Sequence, residues 1–242
     1  MNFLHAILAL LLVRTFRRVL LILLLLCAVI LAAAGILTGM VFHRQAPLPE
    51  AASPDAAAWG DFGILTYRVF SKKNLRTQGF RSESVGFGSV RVISWMLGEY
   101  VHGCRESISA EIAPWECDGF RLEFNDGVFR GRLYLHCDKY SLLWGGATTL
   151  TVDFVPEIAG DGESVSLHVL SASAGDLPLP PRPVERILNR YAAAAAAELE
   201  LRETIRSLHM TDKTMEVEYA PSRLIMLVGE VPLLSKLLSK WL

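Results

Sequence analysis

The apolar positions of this chain follow three rules in turn: an unbroken run, a helical period, then strict alternation. Residues 19–42 (VLLILLLLCAVILAAAGILTGMVF) hold no charge. At about 1.5 Å per residue the stretch is long enough for a hydrocarbon core of roughly 30 Å, which predicts a transmembrane helix. Trp59, Phe62, Leu65, Thr66 and Val69 then recur at roughly helical spacing behind Ser53-Pro54-Asp55. That triplet supplies a capping side chain, a first-turn proline and an acid at the positive end of a helix. Gly60 and Gly63 count against a helix, and 64–70 also reads as a strand; helix is the preferred reading. A second helix is expected to open at Ser82-Glu83-Ser84, to carry Val92, Ile93, Met96, Leu97, Tyr100 and Val101 as one ladder, and to stop near Gly103.

From Phe120 the period becomes two. Phe120, Leu122 and Phe124 alternate with polar residues, Asp126-Gly127 follows as a two-residue turn, and Phe129, Leu133 and Leu135 resume on the return. Pairing Asn125 with Val128 sets Phe124 opposite Phe129, Phe120 opposite Leu133 and Glu123 opposite Arg130. A slip by one residue would set aromatics against arginines, so side-chain chemistry selects the register. Further strands are expected over 148–155 and 164–171, joined by Gly160-Asp161-Gly162. Then comes DLPLPPRP, a stiff corner because each proline holds φ near −65° and keeps its predecessor extended. It leads into a helix over about 183–201 and is expected to aim that helix across the sheet. A hairpin over 204–210 and 214–219 follows.

The chain closes on VPLLSKLLSKWL, read as a short helix over 231–242. Leu233, Leu234, Leu237, Leu238, Trp241 and Leu242 form one stripe, with Ser235, Lys236, Ser239 and Lys240 opposite. Such a short helix needs a surface to lie on. Docking on the domain itself is preferred to an interfacial membrane position.

Charge places these elements. Arg14, Arg17 and Arg18 precede the uncharged run and only Arg44 follows closely, which orients the N-terminus to the cytoplasm. A cleaved signal peptide with Ala32-Ala33-Ala34 at its cut is the alternative, but the apolar run continues to Phe42 beyond that point. The expected organisation is a basic cytoplasmic N-terminus (1–18), a transmembrane helix (19–42), a stalk (43–53) and an extracytoplasmic domain (54–242). This describes a single-pass protein of the inner (cytoplasmic) membrane. Net charge is −1 and no basic stripe with interleaved aromatics stands out, so no nucleic acid is expected.

Chemistry finds little to stand on. No phosphate loop, nucleophile elbow or zinc-protease motif occurs, and Gly86-Phe87-Gly88 lacks its third glycine. No enzyme, cofactor or metal is expected. His102, His136, Cys104, Cys117 and Cys137 follow no structural-zinc spacing, and an extracytoplasmic setting favours disulfides. Carrying the hairpin register forward puts Cys137 on the apolar face and Cys117 opposite His136 on the other face. Those two cannot bond. Cys104–Cys117 is the expected disulfide, with Cys137 a buried thiol.

The order of parts resembles the YpmS-like bacterial single-pass membrane-anchored proteins. The resemblance rests on LHVLSASAGDLPLPPRPVERIL, where Gly175–Pro180 matches a G-x-L-P-L-P segment introducing a helix, and on the hairpin IRSLHMTDKTMEVEY. It covers roughly residues 80–220. The glycine usual in the last turn is replaced by Lys213 or Thr214, and the Glu-Leu-Asn usual in the second helix is absent. More distantly the chain is similar to the tubular lipid-binding and AsmA-like envelope proteins, whose sheet and helix enclose a lipid groove. The resemblance implies membrane lipid as the partner. The ladder of the second helix, with Trp95, Trp115 and Trp144, has two readings. Ordinary core is preferred; the other is an apolar groove for an acyl chain, lined by Met96, Leu97, Phe129 and Leu133. The fold expected is α+β: a transmembrane helix, then an antiparallel sheet with helices packed on one face. The alternative function is a structural subunit of an envelope complex, with a filled core and no small-molecule ligand.

Overall fold

The computed structural model describes residues 27–44, 48, 52–75, 79–140, 146–159, 165–198 and 200–224. Its helices are α1 (residues 27–41), α2 (Ala56–Val69), α3 (Lys72–Leu75), α4 (Phe87–Gly103), α5 (Arg105–Glu111), α6 (Pro181–Glu198) and α7 (Leu201–Thr204). The strands are β1 (His43–Arg44), β2 (Arg81–Gly86), β3 (Glu116–Asn125), β4 (Val128–His136), β5 (Gly146–Ile158), β6 (Val165–Ala174), β7 (Leu177–Pro178), β8 (Ile205–Met210) and β9 (Thr214–Tyr219). They form one antiparallel sheet in the order β2-β9-β8-β5-β4-β3, with β1 and β6 on the other edge of β5 and β7 beyond β6. The architecture is α+β with an antiparallel sheet.

The transmembrane helix is overturned. No helix among the described residues is long and apolar enough to cross a membrane. Residues 19–26 lie outside the described residues; the described part of α1, residues 27–41, covers about 22 Å at the usual rise, against the roughly 30 Å that a span requires. The helix ends at Val41 because the chain turns into the sheet. Phe42 stacks on Trp115 with ring centroids 5.8 Å apart, and β1 pairs with Ala147 and Gly146 of β5. The single-pass, inner-membrane localisation is corrected with it.

The β3–β4 hairpin has the register that the side chains select, from Phe120↔Leu133 through Glu123↔Arg130 to Asn125↔Val128. Its turn places Asp126 and Gly127 at positive φ, 49° and 84°, as a two-residue hairpin loop demands. Phe124, Phe129 and Phe154 pack ring against ring across three strands, with centroids 4.9 and 5.7 Å apart, the first pair tilted and the second stacked. They join Leu65, Val69, Val85, Val90, Met215 and Tyr219 in the main core. The long strand β5 bridges two neighbours on one edge: β4 pairs up to Phe154 and β8 joins at Ile158. Pro156 falls between them, where its missing N–H breaks no ladder.

Two elements differ from expectation. Ser82–Ser84 opens no helix; it lies in β2, paired with β9 from Arg81↔Tyr219 to Gly86↔Thr214. A complete ladder to a distant strand outweighs a local capping signal, and α4 starts only at Phe87. Nor do the helices share one face. The first turn of α4 packs Phe87 edge-on against Phe124, 5.0 Å away, on the apolar face. Further along, Glu99 meets Arg121 at 3.2 Å on the opposite face. The helix crosses the outer edge of β3 at Gly98, where a Cβ would stand 3.0 Å from the Leu122 nitrogen.

Helix α6 covers the other edge. The proline corner returns the chain as β7 beside β6, and the Leu179 N–H donates to the Ala172 carbonyl. From there α6 runs along β6 rather than across the sheet. Glu185 accepts from the Val169 N–H at 2.9 Å and Asn189 from the Leu167 N–H at 2.6 Å. Outward donors of an edge strand, which otherwise invite pairing with another chain, are thereby satisfied by the helix. The helix expected over 231–242, with Leu233, Leu234, Leu237, Leu238 and Trp241, lies outside the described residues, as does the turn at 160–162.

Candidate functional site

The four groove candidates occupy three settings. Met96 is 2% exposed and packs with Ala58 and Val92 in a cluster between α2 and α4, walled by Trp59, Phe62 and Trp95. Phe129 belongs to the sheet core, between Phe124 and Phe154. Leu97, one residue past Met96, turns outward and is 41% exposed. Leu133 is half-buried on the apolar face between Phe120 and Leu150. Met96 and Phe129 thus fall in separate clusters, with Ile93 packed against both.

The cysteines are arranged differently from the expected pairing. All four thiols are free, so Cys104 and Cys117 are not bonded. Cys104 ends α4 and starts α5, whereas the Cys117 N–H is held by Ser109 Oγ at 2.8 Å. A bulge at Asp118 moves the register by one, so Cys117 pairs with Leu135 rather than His136. Cys117 therefore shares the apolar face with Cys137, and the argument that set them on opposite faces fails at the bulge. Burial pushes the Cys117 thiol up in pKa, which makes it a poor nucleophile. Among the described residues no group of three His, Cys, Asp or Glu side chains could hold a metal ion.

The polar face of β3–β6 carries a cross-strand ladder. Arg130 forks onto Asp153 at 2.6 and 2.9 Å, Ser171 donates to the same carboxylate at 2.8 Å, and Arg132 pairs with Glu123 at 2.8 Å. At one end His136 Nδ1 lies 2.6 Å from Asp118. The Arg130 guanidinium holds the Asp153 carboxyl below its ordinary pKa, against the opposing effect of burial. A depressed carboxylate stabilises the fold above its unfolded pKa of about 3.9 and loses that contribution as pH falls through the folded value. Asp153→Asn is therefore expected to cost about 1 kcal/mol near neutral pH, the size of an exposed or half-exposed pair. Denaturant titrations should show the gap between the two proteins closing below about pH 4. A pH-independent gap would mean that the packing of Asp153, not its charge, matters.

What sequence reasoning missed is the seat of α1. Gly175 adopts φ +57°, and a Cβ there would stand 2.5 and 2.6 Å from the Met40 and Val41 carbonyl oxygens. The Asp176 N–H donates to Met40 O at 2.8 Å and Thr148 Oγ1 to Val41 O at 2.7 Å. The last carbonyls of α1 are capped by Asp176 at the start of the proline corner and by Thr148 of β5. Beyond this seat the helix is bare: every residue from 27 to 34 is exposed, and Leu31 and Ile36 are 71% and 66% exposed. The signal that could have found this was a glycine directly after a β-run, facing a short chain with helical carbonyls to satisfy. Compared with known proteins, the chain matches no family model, no curated protein and no solved structure.

Proposed function

We propose that this chain is a non-catalytic structural subunit that assembles through α1, and that the occupant of α1 is the same helix of a second copy. One observation carries the reading: an uncharged apolar helix is held at its last turn and bare along the rest. Exposed apolar surface of this extent marks a contact site. Two identical uncharged helices meet without repulsion. Ala28, Ala32, Gly35 and Gly39 recur at 4-3-4 spacing, a seam along which two backbones approach closely. The alternative, an acyl chain between α4 and the sheet, is less well supported, because Met96 and Phe129 fill separate clusters at the positions expected to line it.

Sedimentation of the purified full chain tests this with Ala32→Leu. That exposed position tolerates leucine, and the change keeps the helix apolar while filling the seam. The dimer is expected to weaken at least tenfold. A chain that is monomeric at every concentration, or a dimer untouched by the substitution, would overturn the proposal.

A further inference from the structure

Helix α6 carries a second surface, on the side away from β6. Its half-buried positions (Val184, Glu185, Leu188, Asn189, Ala192 and Ala196) face the strand, and Glu185 and Asn189 fix its rotation through their bonds to β6 backbone. That rotation leaves Arg182, Arg186 and Arg190 on one exposed flank, spaced four residues apart. Ile187 and Tyr191, 57% and 70% exposed, line the flank beside them. No carboxylate among the described residues pairs with these three arginines; the ion pairs of the fold engage other residues. The sequence showed no basic stripe because a proline, a glutamate and apolar residues stand between the arginines; helical winding collects them.

We infer that this face of α6 is a docking site for an acidic helical segment of a partner protein. Three guanidinium groups one turn apart match carboxylates repeating every fourth residue on an opposing helix, each able to accept two N–H bonds. The isoleucine and tyrosine select a peptide with apolar side chains over a small free anion, since aromatic and arginine anchors dominate such contacts. The exposed alanines after Tyr191 let a second helix lie close. The chain's own C-terminal stripe is excluded as occupant by its like charges, Lys236 and Lys240.

The probe is a fluorescein-labelled synthetic peptide with glutamate at every fourth position and leucine beside each, read by anisotropy against the full chain. Binding is expected to weaken with added salt and to fall at least tenfold in Arg182→Gln/Arg186→Gln/Arg190→Gln. That variant alters only exposed side chains and should melt with the parent. Ile187→Ser/Tyr191→Ser should lower the binding that survives high salt. Equal affinity for parent and triple variant would overturn the inference. So would indifference to the peptide with arginine-dependent binding of anionic vesicles or single-stranded DNA, or arginine-dependent association of copies alone.

Discussion

Phe129→Ala is expected to destabilise the protein by about 3–5 kcal/mol, the range for removing a buried aromatic ring. The ring lies between Phe124 and Phe154, 4.9 and 5.7 Å from their centroids, and is part of the main core. Truncation therefore removes two aromatic contacts and leaves a void bounded by three strands, which an edge-covered sheet cannot collapse to fill. Chemical denaturation at neutral pH measures the loss. A cost under about 1 kcal/mol in a folded variant, outside that range for core aromatics, would mean that Phe129 borders open space. The groove, the second of the two readings of these residues, requires that outcome.

Gly175→Ala should be nearly as damaging, at about 2–5 kcal/mol. A left-handed conformation costs an L-residue about 1–2 kcal/mol, and crowding a packed position adds about 1–3. Here the crowding is against backbone: the Met40 and Val41 carbonyls cannot rotate away without abandoning the Asp176 and Thr148 donors. The variant should release α1 from its seat and change the fluorescence of Trp115, which stacks on Phe42. Gly60→Ala is the control, because nothing lies within 4 Å of a Cβ there and the site is helical. It should be neutral or stabilising by about 0.5–1 kcal/mol. If Gly175→Ala behaves like Gly60→Ala, the seat does not hold the helix.

The elements that were legible in the sequence are those whose causes are local. Asp126-Gly127 set a turn, and opposed aromatics and charges set the β3–β4 register to the residue. The last hairpin and the helix after the prolines were visible for the same reason. The failures share a different cause, contacts between distant segments. Ser82–Ser84 reads as a helix start until β9 is beside it. The bulge at Asp118 leaves no local signature in Cys117-Asp118-Gly119, yet it reverses which face Cys117 occupies. The run at 19–42 reads as one spanning helix because hydropathy alone does not show that Phe42 stacks on Trp115 and that β1 joins the sheet. For the candidate site, the apolar ladder of α4 was correct as a pattern, but periodicity cannot say which rung faces a neighbour. Met96 packs against α2 and Leu97 points away from it. The seat of α1 and the arginine flank of α6 depend on where the proline corner directs the chain, and that direction follows from β6, α1 and α6 together.

Whether α1 is a protein contact is read by native mass spectrometry of the gently purified full chain. The expected species is a dimer of bare polypeptide mass that Ala32→Leu converts to monomer. A monomer carrying bound lipid, in parent and variant alike, would contradict it and restore the lipid-binding reading.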